Sequence, residues 1–164
     1  MTSAPFPSTA DLRTAQLRPV ATVEQRPLAE ALATMQPWIT LKISADELAK
    51  CLSNEDGGAE RYAVIVDGTL AGVVSLRFPW LKGPYIELLA VLPPHQGRGL
   101  GTEILGFVET ETRRLGGRNI WVCASGFNDR AQHFYRQCGF VEVGSVPDLV
   151  ADGFSETLLR KPLT

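Results

Sequence analysis

Three glycines stand within five residues, at Gly97, Gly99 and Gly101, in the segment "LPPHQGRGLGTEIL" of residues 92–105. The segment lies between an apolar run and a helical pattern that begins near Leu100. Free N–H groups there would face one spot at the positive end of the helix dipole. Glycine permits positive φ angles and leaves room for anionic oxygens beside the backbone. The spacing therefore indicates a phosphate-binding loop, with a glycine-rich connection that holds no ligand as the alternative.

Two familiar phosphate loops are excluded by the spacing. A dinucleotide fingerprint that starts at either of the first two glycines needs a further glycine where the sequence has Thr102 or Ile104. A Walker loop needs a lysine before serine or threonine, and no lysine lies between Lys82 and Lys161. A positive charge beside the anion would come from Arg98 instead.

This loop resembles one in a known protein family. Gln96-x-x-Gly99-x-Gly101, directly after "ELLAVLPP" and at the start of a helix, resembles the acetyl-coenzyme A pyrophosphate loop of the GNAT superfamily of N-acetyltransferases. Two motifs in the same order are more specific than either alone, and the resemblance extends over roughly residues 60–160. The second motif, "NDRAQHFYRQCGF", is similar to the family pattern N-x-x-A-x-x-F-Y-x-x-x-G-F and matches it at Asn128, Ala131, Phe134, Tyr135, Gly139 and Phe140.

The resemblance implies both a fold and a cosubstrate site. The implied fold is α/β (α+β): a mixed, strongly twisted sheet of about six or seven strands flanked by about four helices. In this family the strands that match "YIELLAV" and "NIWVCAS" splay apart, and the pantetheine arm of acetyl-coenzyme A enters the gap as a false extra strand. The cofactor-binding residues that the resemblance implies are Leu89, Val91, Gln96, Gly97, Arg98, Gly99, Leu100, Gly101, Thr102 and Asn128.

The implied reaction is direct attack of a primary amine on the acetyl thioester. Such an amine has a pKa of ~10.4 in water, so it must lose a proton before it attacks. Glu87 is the only ionisable residue inside "YIELLAV" and is the candidate base; water as the base, or a solvent-facing strand position for Glu87, are the alternatives. Tyr135 occupies the family's general-acid position, but it also belongs to an apolar helix stripe. An acyl-cysteine route at Cys123 or Cys138 ranks below direct transfer, because apolar surroundings raise a thiol pKa.

The acceptor amine is less well defined by the sequence. A protein N-terminus, a polyamine, an amino sugar and a small metabolite all stay open, and a non-catalytic acyl-coenzyme A sensor is the alternative function. The candidate acceptor residues are an aromatic wall of Trp38, Phe78, Trp80 and Tyr85, and a cation-attracting group of Asp148, Asp152 and Glu156. A hydrophobic satellite cluster and a solvated acidic loop are equally good interpretations of these two groups.

The elements that must position these residues alternate between helices and strands. Two early helices are predicted, the second with a capping box at Ser44 and Glu47. A hairpin turning at Asp67-Gly68 and a helix capped by Asn128 are the clearest later signals. In chain order the segments are strand "AQLRPVAT", helices "PLAEALATM" and "SADELAKCLSN", hairpin "RYAVIVDGTLAGVVSLRF", strand "PYIELLAV", a helix from about Leu100, central strand "NIWVCASGF", helix "NDRAQHFYRQCGF", and strands "VEVGSV" and "ETLLRKPL".

Composition limits the remaining possibilities. With 164 residues, 45% of them hydrophobic, we expect one domain over residues 13–164 behind a flexible N-terminal tail of residues 1–12. A net charge of −2 predicts neither a nucleic-acid partner nor a membrane partner. Without a signal peptide or a long apolar run, the protein is expected to be soluble and cytoplasmic, with three reduced, buried cysteines. Neither His95 nor His133 has a partner at metal-site spacing, so no metal is expected. A homodimer stays open.

Overall fold

The β-hairpin predicted at Asp67-Gly68 forms the middle of the sheet. Both turn residues have positive φ angles, 49° at Asp67 and 75° at Gly68, as a tight two-residue turn requires. Strands β3 (Ala59–Val66) and β4 (Thr69–Trp80) pair antiparallel on either side of it. The predicted hairpin is therefore confirmed.

A computed structural model describes residues 4–53 and 57–163 of the chain. It arranges eight strands in one sheet, in the order β1-β2-β3-β4-β5-β6-β8-β7. Neighbouring strands are antiparallel except for β5 and β6, which are parallel. The remaining strands are β1 (Ala10–Asp11), β2 (Gln16–Pro19), β5 (Gly83–Val91), β6 (Asn119–Ser125), β7 (Val141–Pro147) and β8 (Ser155–Pro162).

Five α-helices and one short 3-10 helix connect the strands. In the predicted capping box, the Glu47 backbone N–H donates to Ser44 Oγ at 3.1 Å and the Ser44 N–H donates to Glu47 Oε2 at 2.8 Å. This reciprocal pair begins the third helix where the sequence indicates. The helices are α1 (Thr22–Ala33), α2 (Trp38–Leu41), α3 (Ala45–Leu52), the 3-10 helix (Pro93–His95), α4 (Leu100–Arg114) and α5 (Asp129–Gln137).

The sheet has a hydrophobic cluster on each face. On the face that we call the α4 face, Ile104 and Val108 of α4 and Tyr135 of α5 pack against alternate strand residues. On the opposite face, which we call the α1 face, Leu28 of α1 and Leu52 of α3 pack against the strand residues that alternate with those of the α4 face. Because side chains alternate along a strand, each strand residue can be assigned to one of the two faces.

The fold differs from the sequence prediction at its N-terminal end. A flexible tail was predicted for residues 1–12, but residues 4–12 pack against the domain. Phe6 is 1% exposed, and its ring lies 5.7 Å from that of Phe78. The Tyr62 hydroxyl donates to the Pro7 carbonyl at 2.5 Å. Short apolar and proline-rich stretches carry little periodicity, so neither this packing nor strand β1 was predicted. Residues 1–3 lie outside the described residues.

Three smaller differences from the prediction concern the number of strands, one short helix and the burial of a cysteine. The sheet has eight strands where about six or seven were expected, and α2, a single turn of helix, replaces the predicted loop around Trp38. Cys51 is exposed, so its predicted burial is wrong, whereas Cys123 and Cys138 are partly buried. None of the helices formed by the described residues combines the length and apolarity that a membrane span requires.

Candidate functional site

Strands β5 and β6 are joined at one end and separate at the other. Within the described residues their register holds only two pairs, Tyr85↔Trp121 and Ile86↔Val122. Gly83 allows the close start, since a Cβ there would lie 1.7 Å from the Asn119 carbonyl oxygen. The rest of β5 pairs with β4 on its other side. The predicted splay is therefore confirmed, and it opens a gap in the sheet.

The backbone of β5 presents two residues to this gap. The Leu92 N–H donates to the Ala71 carbonyl of β4 at 2.8 Å, and the Ala90 carbonyl oxygen approaches β4 so closely that a Cβ on Gly72 would lie 2.3 Å from it. Backbone groups alternate in direction along an antiparallel strand. Leu89 and Val91 therefore direct their N–H and C=O groups away from β4, into the gap.

The glycine loop leads from β5 into the start of α4. Gly97 and Gly99 have positive φ angles of 75° and 80°, and Gly99 is an N-cap without a side-chain hydrogen bond. The first backbone N–H of the helix to bond internally is that of Glu103, which donates to the Gly99 carbonyl at 3.1 Å. The N–H groups of Leu100, Gly101 and Thr102 precede it and are the orphan donors of a helix N-terminus.

Two polar side chains of the loop have different environments. Gln96 Nε2 donates to the Val91 carbonyl at 2.8 Å, so this amide ties the loop to the end of β5. Arg98 is exposed, and its guanidinium forms no ion pair with any described residue. The structure thus gives Gln96 a positioning contact and leaves Arg98 available to an anion.

Helix α5 packs directly against the first turn of α4. A Cβ on Gly101 would lie 2.9 Å from Phe134 Cζ, so glycine is needed there for helix contact. At the start of α5, Asn128 Oδ1 accepts from the Ala131 N–H at 3.2 Å, which confirms the predicted cap. The Asn128 side-chain amide N–H groups are not used by this cap.

Tyr135 lies on the α4 face, in the hydrophobic cluster that also contains residues of α4. It is 6% exposed, and its ring packs against Phe134 and Phe140 at 5.2 and 5.3 Å between centroids. Burial raises the pKa of its hydroxyl, and Cys138 adds to that shift. The raised pKa keeps the phenol protonated at neutral pH, and no described residue hydrogen-bonds to its hydroxyl.

Glu87 occupies an irregularity in β5 beside the gap. The pairing shifts from Ser75↔Leu88 to Leu76↔Ile86, which leaves Glu87 as an extra residue of the kind found in β-bulges. Its Oε1 accepts from Arg77 Nε at 2.5 Å, and its Oε2 accepts from Ser75 Oγ at 3.3 Å. The candidate base is therefore an ion-paired carboxylate on the α1 face, fixed in position by two residues of β4.

An aromatic cluster lies on the α1 face where β5 and β6 still pair. The Trp80 ring is 5.0 Å from that of Tyr85 and 5.5 Å from that of Trp121. Of the four residues in the predicted aromatic wall, only Trp80 and Tyr85 come together: Phe78 packs with the α4-face cluster and Trp38 with the α1-face cluster. Trp121 was not predicted, although its place between Ile120 and Val122 puts it on the opposite face from those buried residues.

The predicted acidic group is also divided. Asp148 Oδ1 accepts from the Gly153 N–H at 2.7 Å and holds the β7–β8 turn, and Asp152 is exposed in that turn. Glu156 instead lies inside β8 with 6% of its surface exposed. The three carboxylates therefore do not form one surface patch.

Two cysteines, Cys123 and Cys138, lie beside the site. Burial raises the pKa of the Cys123 thiol; the adjoining Tyr85 hydroxyl offsets part of that shift, and the charge of Glu156 adds to it. Cys138 packs against the α4-face cluster. Among the described residues, no three His, Cys, Asp or Glu side chains are placed to hold a metal ion together.

Comparisons with known proteins agree with this geometry. The model of the acetyltransferase (GNAT) family matches residues 26–140. Streptothricin acetyltransferase of Streptomyces lavendulae is 32% identical over 92 residues, which cover 55% of this chain and 49% of that protein. The chain thus spans about half the length of this curated relative. Both sequence motifs of the site lie within the residues matched by the family model.

Two solved structures share the fold. Nourseothricin acetyltransferase is 27% identical, with a TM-score of 0.61, over 66% of this chain and 68% of its own. Aminoglycoside 6'-N-acetyltransferase, solved with coenzyme A, is 15% identical, with a TM-score of 0.70, and the match covers 89% of this chain and 96% of that one. At that identity the second likeness shows the fold alone, over nearly the whole chain.

Proposed function

The chain belongs to the acetyltransferase (GNAT) family, and from this premise we propose that it transfers the acetyl group of acetyl-coenzyme A to a primary amine. The observation that carries the proposal is the gap between β5 and β6. It combines the backbone groups of Leu89 and Val91 with the uncapped N-terminus of α4 at one edge of the sheet. A long ligand with an anionic middle and a hydrogen-bonding arm matches that combination.

The donor half of the site consists mainly of backbone. The N–H groups of Leu100, Gly101 and Thr102 receive the pyrophosphate oxygens at the positive end of the α4 dipole, and Arg98 adds a charge from outside the loop. The pantetheine amides bond to Leu89 and Val91 as an added strand does. The Asn128 amide, at the start of α5, reaches the same arm from the opposite side of the gap.

The chemical step is direct transfer without an acyl-enzyme. An ammonium acceptor first gives up a proton, and the neutral amine nitrogen then forms a bond to the thioester carbonyl carbon. The carbonyl oxygen becomes negative in the tetrahedral transition state, where a Leu89 N–H directed into the gap stabilises it. The C–S bond then breaks, the amide forms, and the sulfur leaves as a thiolate.

Tyr135 is the group that serves the leaving thiolate. Its protonated hydroxyl has no hydrogen-bond partner among the described residues and lies on the α4 face, on which the α4 loop holds the coenzyme. A phenol with a raised pKa gives up its proton less readily than a thiol does. Tyr135 therefore stabilises the developing thiolate mainly by donating a hydrogen bond in the transition state.

Glu87 is our candidate for the base that accepts the proton of the ammonium. The bulge places its carboxylate on the α1 face next to the gap, and Arg77 and Ser75 prevent it from swinging away. Each carboxylate oxygen accepts one hydrogen bond and keeps a second acceptor site, so the proton can reach Glu87 directly or through a water molecule. Proton loss to bulk water is the alternative, and it needs no residue.

The acceptor that we propose is a small cationic amine. The relative named above acts on streptothricin, and the α1 face offers half-buried rings and a carboxylate to such a group. A protein N-terminus, a polyamine and an amino sugar are the other classes that should be compared.

The experiment combines binding with turnover. Titration calorimetry should show that acetyl-coenzyme A binds the full chain, and a panel of amines should release free thiol in proportion to acetylated product identified by mass. Absence of coenzyme binding overturns the proposal. Binding without thiol release for any amine in the panel would instead indicate a sensor of acyl-coenzyme A.

A further inference from the structure

Glu156 lies in a buried environment that disfavours a charged carboxylate. It is 6% exposed, and its Oε2 is buried without a hydrogen-bond partner among the described residues. Burial raises the carboxyl pKa, and the side chain of Ser125, directly opposite on β6, offsets part of that shift by hydrogen bonding. No described lysine or arginine forms an ion pair with Glu156. Buried carboxylates are normally paired with a cation, so the lack of a cationic partner among the described residues points to a ligand.

The position of Glu156 links it to the site. Residue pairs across β6 and β8 place Glu156 opposite Ser125 and Leu158 opposite Cys123, on the α1 face together with Trp121. Burial is the largest cause of the raised pKa of Tyr85 and of Cys123, and the charge of Glu156 adds to both shifts. A carboxylate and the rings of Trp80, Tyr85 and Trp121 therefore share one surface.

This surface extends to the gap between β5 and β6. Ser125, the neighbour of Glu156 across β6 and β8, lies beyond the last β5–β6 pair, Ile86↔Val122, on the part of β6 that has separated from β5. The rings of Trp80, Tyr85 and Trp121 are partly exposed, and the α1-face cluster of the described residues, to which α1 and α3 contribute, contains no member of β6 or β8. A molecule on this side would approach the gap from the face opposite α4 and α5.

We propose that Glu156 and the rings of Trp80, Tyr85 and Trp121 bind the ammonium group of the acceptor. The inference rests on the proposed function and names the subsite that selects a cationic amine. A carboxylate and aromatic faces both attract a cation, and they do so most strongly where water is excluded. Glu87 cannot take this role, because its carboxylate is already paired with Arg77. Glu156 holds the ammonium, and deprotonation follows at the gap.

The test is a binding measurement that does not require turnover. Benzylammonium and the neutral benzyl alcohol have the same ring and nearly the same shape, and tryptophan fluorescence reports their binding next to Trp80 and Trp121. The wild-type protein should saturate with benzylammonium and bind benzyl alcohol at least about tenfold more weakly. In Glu156→Gln, benzylammonium should lose about tenfold or more in affinity while benzyl alcohol changes less than about twofold.

Two further variants make the result decisive. Glu142→Gln removes the same charge from an exposed position on β7 and should leave both affinities unchanged. Glu156→Asp keeps the charge and should keep the preference for the cation, which guards against a folding defect in the glutamine variant. Equal binding of the two probes by the wild type, absence of saturation by benzylammonium, or an unaltered preference in Glu156→Gln would each overturn the inference.

The same variants separate this inference from the proposed function. If the subsite is as we propose, Glu156→Gln raises the KM of the amine and leaves the calorimetric affinity for acetyl-coenzyme A unchanged. Failure of coenzyme binding in the wild type would refute the acetyltransferase proposal alone, because the fluorescence titration needs no coenzyme.

Discussion

The two faces of the sheet build their halves of the site in different ways. On the α4 face the contacts come from backbone: the orphan N–H groups of α4, the groups of Leu89 and Val91, and glycines that keep side chains out. On the α1 face they come from side chains: the cluster of Trp80, Tyr85 and Trp121 and the buried carboxyl of Glu156. A site made of backbone accepts one ligand in any member of a family, whereas a site made of side chains can change its ligand by substitution.

The division also separates rate from selectivity. In our proposal Tyr135 and the α4 loop act on the coenzyme, which every turnover uses, while Glu156 and the rings act on the acceptor. Variants of the first group should change kcat or coenzyme affinity, and variants of the second group should change which amine is used. The predictions below test this division in order of expected effect.

The largest effect is expected at Tyr135. Tyr135→Phe keeps the ring and its contacts with Phe134 and Phe140, and it removes a hydroxyl that has no hydrogen-bond partner among the described residues. We therefore expect an almost unchanged melting temperature and a fall in kcat of about 10²-fold or more, because the hydroxyl acts in the transition state. Steady-state kinetics beside a melting curve measure both quantities.

Coenzyme affinity serves as the control for Tyr135. It should stay constant in Tyr135→Phe, since the loop and β5 hold the coenzyme. A variant that melts lower and turns over normally would assign Tyr135 to the core and remove it from the chemistry.

Glu87→Gln tests whether the α1 face also carries the base. We expect kcat to fall by about tenfold to 10²-fold and the dependence of kcat on pH to flatten on its acid side. The ion pair with Arg77 is about one-third exposed, with side-chain exposures of 31% and 27%, so stability should change by only about 0–1 kcal/mol. A full pH–rate profile is the measurement, and an unaltered profile would leave water as the base.

Glycine substitutions in α4 test the backbone half of the site. Gly99 has a φ angle of 80°, so Gly99→Leu is strained at the N-cap and places a side chain in the path of the pyrophosphate. Coenzyme affinity should fall by about tenfold or more, equivalent to about 1.4 kcal/mol. Calorimetry measures it.

A matched glycine in the same helix is the control for this loss. Gly106 has open space around its Cβ position, so Gly106→Leu should leave coenzyme affinity within about twofold, since leucine favours a helix. Equal losses in both variants would point to a general effect on α4 and away from a ligand at the loop.

The two halves of the site were not equally predictable. The geometry of the α4 loop and the Asn128 cap could be predicted from the sequence because a backbone site requires glycines and caps at fixed spacing. The roles of these residues and of Tyr135, which follow from the family resemblance, stay predictions. The acceptor side was predicted poorly: Phe78 and Trp38 belong to other clusters, and Trp121 was missed. Side chains from distant strands come together there only through strand order and register, which no local pattern encodes.

Glu156 shows the same limit on a single residue. Grouped by sequence with Asp148 and Asp152, it looked like part of a solvated acidic loop, because charge spacing alone does not distinguish a turn from a strand. Its pairing with Ser125 across β6 and β8 is what buries it. Alternation along β8 could have indicated that Glu156 and Leu158 share a face, but the choice of face depends on the neighbouring strand.

The smallest expected effect is a gain in stability at Glu156, opposite in sign to its effect on acceptor binding. Burial raises the carboxyl pKa, so the ionised form destabilises the folded chain at any pH above the unfolded value of about 4.3. Glu156→Gln should therefore unfold at higher temperature than the wild type at pH 7. The gain should be smaller than the effects above, because the glutamine amide is also buried, and each kcal/mol corresponds to roughly 2–4 °C in a chain of this size. As pH falls through the folded and then the unfolded pKa, the wild-type carboxyl is protonated in both states and the difference in stability between the two proteins disappears.

Melting curves of the two proteins without ligand, from pH 4 to pH 8, measure this pH dependence. A Glu156→Gln protein that is less stable at pH 7 would mean that the carboxylate is paired in the free chain, and the α1 face would then be as structural as the hydrophobic clusters beside it.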